Sequence, residues 1–362
     1  MIGLAIISAG GTFLTALVLT ILIRRFSNTI GFIDRPGGHK SHLKPVALGG
    51  GIAIFLATCT PLLVGTLFAR FLDPTSPPHW LPPSLHQHIP GIASKLPQVL
   101  AIVAGALVLH IIGLMDDRKP LGPTPKLIAQ ILVALVIAWP VGIRAMTALP
   151  APLSILLSVV WIVLITNAFN FLDNMDGLSA GVGAIAAAVF AIAAAGAGQI
   201  FVPVMAWTLV GALLGFLLFN FSPASIFMGD GGSLVIGYLL SVLTILTTYY
   251  DPEEGTRPYG LLVPLIVLSV PLYDVGSVVV HRLRAGQSPF RGDQRHFSHR
   301  LVKRGLTPRT AVLTIYLATA ATGLPAIVLP RVDWTLGILV VLQCLCVVTM
   351  IAILEHIEPS KR

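Results

Sequence analysis

The sequence predicts an all-α polytopic membrane protein with about eleven transmembrane helices, its N-terminus outside the membrane and its C-terminus cytoplasmic. Of the 362 residues, 55% are hydrophobic and only 10% are charged, and the mean hydropathy is +0.89. In soluble domains about a quarter of the residues are charged. The apolar residues form continuous runs of roughly 20 residues without period-two alternation, which favours membrane helices over the strands of a membrane barrel.

The predicted spans follow one another closely, which leaves a single integral-membrane domain over residues 1–362. No basic segment precedes the first span, whereas Arg24 and Arg25 follow it. We therefore expect this span to be retained in the membrane and not cleaved as a signal peptide. The fourth run is the shortest. In order, the runs cover about 3–23, 46–69, 98–115, 127–141, 153–169, 178–197, 200–219, 232–250, 260–280, 310–330 and 335–355.

The distribution of basic residues predicts the orientation of these spans. If the N-terminus is outside, only five of the 23 Lys and Arg residues lie outside, namely Arg70, Lys95, Arg144, Arg257 and Arg331. Basic residues accumulate on the cytoplasmic side of membrane proteins, so the asymmetry supports this orientation. The net charge of +8 then belongs mainly to the inner face. It can reflect topology alone or an attraction of anionic substrates and lipid headgroups.

The cytoplasmic loops carry polar residues at close, regular spacings. Nine of the 15 acidic residues fall on this side. Acids at the edge of a membrane are costly unless they are paired or hydrated, so their concentration on one face predicts an active site there. The loops expected to form this site cover about 24–45, 116–126, 170–177, 220–231 and 281–309.

An aspartate pair, Asp116 and Asp117, closes the third apolar run. Adjacent carboxylates repel one another, so they are expected to share a cation, or one of them to have a raised pKa. Neutralisation by the neighbouring Arg118 and Lys119 would explain the pair equally well as a solvated helix end. The motif alone does not decide between these readings.

A polar stripe follows the fifth run, where Asn167, Asn170, Asp173 and Asp176 recur every three residues. Side chains at this spacing share one slowly drifting face of a helix end. Such a stripe is a poor membrane anchor, and polar clusters at membrane depth are usually functional. The stripe therefore predicts a ligand surface.

Asp230 lies between Gly229 and Gly231 at the start of another predicted helix. Backbone N–H groups at a helix N-terminus bind anions, so a carboxylate at this point suggests that a cation mediates between it and an anion. Mg²⁺ usually takes one or two carboxylates and completes its shell with water and phosphate oxygens. Phosphoryl transfer requires mainly positioning and charge neutralisation, which this inventory of residues supplies.

The last cytoplasmic loop combines His296, His299 and Arg300, and the first one adds His42 and Lys44 as candidate substrate-binding cations. Histidines and arginines together suit the recognition of diphosphate oxygens, although a patch for anionic lipid headgroups would use the same residues. Asp274, inside the ninth run, could pair with a basic residue of the last loop.

At these residues the chain resembles the polyprenyl-phosphate N-acetylhexosamine-1-phosphate transferase family, over essentially its whole length. The resemblance implies attack by a polyprenyl phosphate on the β-phosphate of a UDP-amino sugar in the bacterial plasma membrane, with release of UMP. The cofactor it implies is Mg²⁺, for which Mn²⁺ can substitute. The implied partners are UDP-N-acetylglucosamine (UDP-GlcNAc), undecaprenyl phosphate and the lipid bilayer, with no nucleic acid; a homodimer is compatible with it.

The resemblance also implies roles for individual residues. Asp117 is the expected base at the lipid phosphate, and Asp230 is the expected Mg²⁺ ligand. The other residues with implied catalytic roles are Asp116, Asp173, His296, His299 and Arg300. Those with implied substrate contacts are Lys126, Asn170, Asp176, Asn220 and Phe227, with Asp176 and Phe227 at the uracil.

The histidine loop distinguishes two branches of this family. The branch that transfers phospho-MurNAc-pentapeptide has three consecutive histidines there and ten spans. This chain has Ser298 between His296 and His299, which resembles the branch that acts on UDP-GlcNAc and begins O-antigen, enterobacterial common antigen or teichoic acid linkage units. The pentapeptide transferase of peptidoglycan synthesis remains the alternative. In another class, a transporter would place acids near the midplane, and a lipid-binding scaffold would not need Asp116, Asp117 and Asp230 together.

Overall fold

A computed structural model of the protein describes residues 2–34, 45–79, 81, 83–284, 286 and 296–355. Its helices are α1 (Ile2–Ile30), α2 (Gly50–Phe71), α3 (Pro83–His86), α4 (Ile89–Ser94), α5 (Leu96–Arg118), α6 (Pro123–Ala138), α7 (Ala151–Leu172), α8 (Leu178–Gly196), α9 (Phe201–Asn220), α10 (Asp230–Leu246), α11 (Val263–Val267), α12 (Ser269–Arg284), α13 (Phe297–Lys303), α14 (Pro308–Ala326) and α15 (Trp334–Leu354). Two short 3₁₀ helices cover Pro258–Leu262 and Leu329–Arg331.

The helices confirm the prediction of an all-α multi-pass membrane protein. Among the described residues, 8 helices are long and apolar enough to cross a membrane, and a bent pair, Pro258–Val267 with α12, makes up to 9. Two of the predicted runs form shorter apolar helices instead: α6 has 16 residues and α10 has 17. Every predicted run therefore contains a helix, although two of these helices are shorter than a typical span.

The core of the bundle is α10, which packs against α2, α5, α7 and α8. A helix that is hydrophobic on all sides is expected in the interior, and every residue of α10 from Gly231 to Thr244 is buried. Glycines permit close approach at its start. A Cβ at Gly51 of α2 would overlap the backbone of Gly232, and a Cβ at Gly113 of α5 would overlap the backbone of Asp230.

The first helix lies at the edge of the bundle and packs mainly on α9. It buries only Thr12, Ala16, Thr20 and Ser27 among its 29 residues. Contact between the two helices depends on small residues, since a Cβ at Gly211 would overlap the backbone of α1. Small residues at such interfaces let membrane helices approach closely without a hydrophobic driving force.

A pair of two-residue strands, β1 (Ile33–Asp34) and β2 (Val46–Ala47), pairs antiparallel between α1 and α2. Ala47 also forms an isolated bridge with Ile226, and its carbonyl accepts a hydrogen bond of 2.8 Å from the amide of Phe227. The sequence did not predict these strands, because two residues are too few to show an alternating pattern. Through Ala47, β2 is bonded to the loop before α10.

The predicted ninth span is bent by 65° between Val267 and Ser269. Pro271 lacks the N–H that would bond to the carbonyl of Val267 four residues earlier, and proline is a common cause of such kinks. The bend sets the direction of α12, which packs against α7. It thereby brings Asp274 and Arg282 of α12 to the polar ends of α7 and α13.

Candidate active site

A cavity of about 830 Å³ lies between α6, α7 and α12. Val160 on its wall is 55% exposed, so the cavity opens sideways between the helices. The polar residues that line it toward the helix ends include Asp116, Lys126, Asn170, Asp173, Arg282 and His296. Deeper along the same helices the lining includes Leu127, Ile131, Val163 and Val279. This shape suits a molecule with one charged end and a long apolar part.

Lys126 joins two of the predicted acids. Its ammonium group lies 3.1 Å from the carboxylate of Asp116 and 2.7 Å from that of Asp230. The neutralisation of the aspartate pair by its immediate neighbours, which the sequence also allowed, is not what the structure shows. The guanidinium of Arg118 lies over the ring of Phe32 instead.

The two members of the aspartate pair have different surroundings. Asp117 accepts hydrogen bonds from the backbone N–H of Asp230, at 2.8 Å, and of Gly231, at 3.2 Å. It caps the start of α10, where the preceding Gly229 has no side chain to do so. Asp116 accepts from the N–H of Leu121 at 2.8 Å and lines the cavity. In the structure Asp116 lines the cavity, whereas Asp117 binds the start of α10. The predicted role of Asp117 as the base stays a prediction.

Asp230 is held on both sides at the start of α10. Asn170 donates to its second oxygen at 2.9 Å and also to the hydroxyl of Ser233 at 3.0 Å. Asp173 lies close enough for Asp230 and Asp117 to act on it electrostatically. Burial first, and then these two carboxylates, raise the pKa of Asp173 well above its ordinary value. Together, the carboxylates around Lys126 carry more negative charge than its single positive charge can balance.

This donor set fits Mg²⁺, which prefers carboxylate and carbonyl oxygens. Asp230 and Asp173 would hold the ion, and the side-chain carbonyl of Asn170 is a further oxygen beside them. Within the described part of the chain, no group of three or more His, Cys, Asp or Glu side chains forms a complete metal site. The remaining ligands would be water and substrate phosphate oxygens, as is usual for Mg²⁺.

Replacing Asp173 by Asn should stabilise the metal-free protein, and the gain should grow as pH rises. Below about pH 3.9 the carboxyl is protonated in the folded and unfolded states alike. As pH rises toward the raised pKa of the folded state, the Asp173 carboxyl ionises first in the unfolded state, so the wild type loses stability. The amide in Asp173→Asn does not ionise, so the stability of the variant is not lowered in this way. Thermal unfolding in detergent with EDTA, at pH 5 and pH 8, should show a gain of roughly 2–4 °C at pH 8, or about 1 kcal/mol.

The matched control for this measurement is Asp73→Asn. Asp73 is an exposed carboxylate whose pKa is lowered by hydrogen bonds from Thr75, so its replacement should give no such gain. Adding Mg²⁺ should narrow the difference between the wild type and Asp173→Asn. If Asp173→Asn unfolded at a lower temperature than the wild type at both pH values, burial and the neighbouring carboxylates would not destabilise the ionised form of Asp173.

The histidine loop reaches the cavity through His296, which directly precedes α13. Its Nδ1 lies 2.8 Å from the carboxylate of Asp274, and the other oxygen of Asp274 accepts from the N–H of Phe297 at 3.0 Å. The predicted pairing of Asp274 with this loop is confirmed. The contact fixes the imidazole orientation and leaves Nε2 for a ligand. His299 lies behind it, with ring centroids 6.4 Å apart, and burial first, followed by His296 and Lys303, lowers its pKa.

Several predicted substrate residues hold loops together. Asn220 accepts from the N–H of Gly177 at 3.0 Å and donates to the carbonyl of Ile226 at 2.9 Å. Asp176 accepts from the N–H of Ala224 at 2.9 Å. Their contacts with a nucleotide, and that of the half-buried Phe227, stay predictions. His42 and Lys44 lie outside the described residues. Arg300, a predicted catalytic residue, binds Glu355 and does not line the cavity.

The sequence analysis missed three residues at the site. His110 holds the carbonyl of Gly231 at 2.7 Å. Gln130 lines the cavity and accepts a hydrogen bond from Asn167, which joins α6 to α7. Arg282 is buried, with its guanidinium 5.5 Å from the ring centre of Phe171. Ionisable residues at membrane depth are functional candidates by default. The positions of His110 and Arg282 therefore marked them as candidates, whereas a count of charges on each side of the membrane did not.

The fold and the site together define a multi-pass membrane enzyme with a carboxylate-rich centre at one end of a laterally open cavity. Comparison with known proteins shows the family to which it belongs. The sequence pattern described as Glycosyl transferase family 4 matches residues 99–248.

Relatives align over most of the chain. The "Probable undecaprenyl-phosphate N-acetylglucosaminyl 1-phosphate transferase" of Bacillus subtilis (strain 168) is 30% identical over 94% of this chain and 88% of its own length. The "Decaprenyl-phosphate N-acetylglucosaminephosphotransferase" of Mycobacterium tuberculosis (strain ATCC 25618 / H37Rv) is 35% identical over 84% and 78%. The "Undecaprenyl-phosphate alpha-N-acetylglucosaminyl 1-phosphate transferase" of Escherichia coli (strain K12) is 25% identical over 85% and 79%. The chain belongs to glycosyl transferase family 4, which confirms the family resemblance drawn from the motifs.

Proposed function

We propose that this protein transfers N-acetylglucosamine-1-phosphate from UDP-GlcNAc to a polyprenyl phosphate and releases UMP. The observation that carries the proposal is the cavity itself, whose carboxylate and lysine centre continues into apolar walls that open between the helices. A lipid phosphate needs such a combination, and the named activities of the relatives agree with it. The product would begin the membrane stage of an envelope polysaccharide in the bacterial plasma membrane.

The acceptor would enter sideways past Val160, with its prenyl chain along the valines of α7 and α12. Its phosphate would lie between Lys126 and Arg282, the lysine and the arginine among the described residues of the cavity wall. Asp116, held by the N–H of Leu121, is placed to take a proton from that phosphate. The freed oxygen forms a bond to the β-phosphorus of the UDP-sugar, and the bond between that phosphorus and the bridging oxygen breaks, so that UMP leaves with the bridging oxygen.

Charge neutralisation is the main task of the other residues, as in phosphoryl transfer generally. Mg²⁺, when bound at Asp230 and Asp173, would supply positive charge to the diphosphate oxygens. His296, oriented by Asp274, would direct Nε2 at a diphosphate oxygen on the other side of the cavity and donate to it in its doubly protonated form. Asn170 and Lys126 hold Asp230 in place from two directions.

We also place this centre on the cytoplasmic face of the membrane. The basic residues of the sequence accumulate on the loops that surround the centre, and such loops are normally cytoplasmic. UDP-sugars are made inside the cell, so this orientation would deliver the donor directly. A cysteine introduced at exposed Lys119 should react with a membrane-impermeant maleimide only after the cells are opened; labelling of intact cells would overturn the orientation.

The test of function is UMP release by the detergent-purified protein with undecaprenyl phosphate and Mg²⁺. We expect turnover with UDP-GlcNAc, none with UDP-MurNAc-pentapeptide, and none when the lipid or the metal is omitted. Turnover with the pentapeptide substrate alone would assign the protein to the other branch of the family reaction. If neither donor releases UMP, the proposal fails and a transporter or lipid-binding scaffold becomes the better explanation.

A further inference from the structure

Glu355, the residue that follows α15, is buried beneath α13, with 3% of its surface exposed. One of its carboxylate oxygens accepts from Nε of Arg300 at 3.0 Å and from its terminal nitrogen at 2.6 Å. The other oxygen accepts from the hydroxyl of Tyr273 at 2.7 Å. The end of the last membrane helix is therefore bonded to both α12 and α13.

Arg300 is held firmly within this network. Its terminal nitrogen also donates to the hydroxyl of Ser277 on α12 at 2.8 Å. Arg304, the residue that follows α13, donates to the backbone carbonyl of Glu355 at 3.1 Å. Arg300 is absent from the described residues that line the cavity. Its guanidinium thus faces Glu355 and not the space where a substrate would lie.

The position of α13 depends on such contacts because the helix has only 7 residues. A helix this short is not stable by itself and takes its place from tertiary contacts. Asp274 fixes its beginning, and Glu355 holds Arg300 at its middle. When one partner of a buried ion pair is removed, the remaining charge is left uncompensated and the local structure must change. Loss of the pair would therefore displace α13, and His296 with it.

We propose that Glu355 and Arg300 are positioning residues, which keep α13 in the place where His296 meets the cavity. The last membrane helix thereby contributes to the active site although none of its described residues lines the cavity. The inference rests on the proposed function, since it assigns His296 to the reaction. It differs from the sequence prediction for Arg300, which gave that residue a direct role.

Three variants test the proposal, namely Glu355→Ala, Arg300→Ala and the double variant. Misplacement of a catalytic group by about 1 Å can lower a rate roughly 100-fold, so we expect each single variant to lose about that factor in kcat. The KM for UDP-GlcNAc should change less than kcat, because the contact of His296 with the diphosphate is expected to strengthen in the transition state. The double variant should be no slower than the single ones, since both remove the same contact. Glu355→Gln, which keeps an acceptor oxygen, should be intermediate.

A direct catalytic role of Arg300 predicts a different pattern. Arg300→Ala would then be far slower than Glu355→Ala, and the losses would combine in the double variant; this result would overturn the proposal. The matched control is Asp333→Ala at the other end of α15, which removes the cap that accepts from the N–H of Leu336 at 2.9 Å. It disturbs the same helix but should leave kcat unchanged.

Hydrogen exchange of the backbone amides of α13 supplies a readout that does not depend on catalysis. Exchange should accelerate in Glu355→Ala and Arg300→Ala and remain at the wild-type rate in Asp333→Ala. Unchanged exchange in Glu355→Ala would overturn the proposal even if its activity fell. If the wild type releases no UMP while exchange follows the expected pattern, the proposed function fails and the structural part of the inference stands.

Discussion

Replacing Asp230 by Asn should reduce UMP release about 1,000-fold or more while leaving the protein folded. The change keeps the size of the side chain but removes the charge that pairs with Lys126 at 2.7 Å and that would hold Mg²⁺ beside Asp173. Removal of a single group that stabilises developing charge commonly costs this factor in kcat. The backbone N–H that Asp117 accepts from is unaffected, so the start of α10 should remain capped.

The Asp230 variant is measured by UMP release over a range of Mg²⁺ concentrations and by thermal unfolding in detergent. The control is Glu254→Gln, at an exposed acid in the loop before the 3₁₀ helix Pro258–Leu262. It should behave as the wild type. If Asp230→Asn kept both the rate and the Mg²⁺ dependence of the wild type, Asp230 would not be the metal ligand.

Replacing Gly113 by Ala should damage the active site without touching any charged group. A Cβ at Gly113 would overlap the backbone of Asp230 and Gly231, which cannot move aside as a flexible side chain would. Overpacking of this kind costs about 1–3 kcal/mol in stability. The displacement of Asp230 should also lower kcat roughly 100-fold, since small shifts of catalytic groups have effects of that size.

The measurement for Gly113→Ala again combines UMP release with thermal unfolding. Gly65→Ala provides the matched control, because Gly65 is an exposed helical glycine of α2 whose Cβ would meet no atom within 4 Å. It should be neutral or slightly stabilising, as expected for alanine in place of glycine within a helix. Equal behaviour of the two variants would show that the close approach of α5 to α10 is not needed for activity.

The sequence predicted the helices well because continuous apolar runs are a strong and local signal. The fourth run, which forms α6, was already the shortest in the sequence, but the sequence did not show that α10 is shorter than a typical span. Length is judged against the bilayer, whereas α10 is surrounded by other helices and buried from Gly231 to Thr244. The bend before Ser269 was missed as well, although Pro271 was visible, since a proline can be accommodated at several places in a helix.

The sequence predicted which residues belong to the candidate site, but not which of them contact one another. Asp116 and Asp117 are adjacent on a helix, so their side chains point about 100° apart. Which of them faces the cavity depends on the rotation of α5 in the bundle, which the sequence does not contain. For the same reason the sequence identified Lys126 as a site residue without showing that it joins Asp116 to Asp230.

Residues that act through long-range contacts were the hardest to find. Glu355 and Arg300 are separated by 55 positions, and the packing of α15 against α12 and α14 brings them together. Asn220 and Asp176 were recognised as important, yet the structure uses both to fasten neighbouring loops. A motif identifies a residue that the family needs, whereas the three-dimensional contacts show what that residue holds.

The pairing of α1 with α9 has a consequence for biosynthesis. The two helices are separated by about 200 residues, so at roughly 5–20 residues per second α9 is made about 10–40 s after α1. During that interval α1 lies in the bilayer without its contact to α9. Its polar side chains are satisfied within the helix, because the hydroxyls of Thr12 and Thr20 donate to the carbonyls of Ser8 and Ala16. The contact between α1 and α9 can therefore form only after helices α2 to α8 have been made.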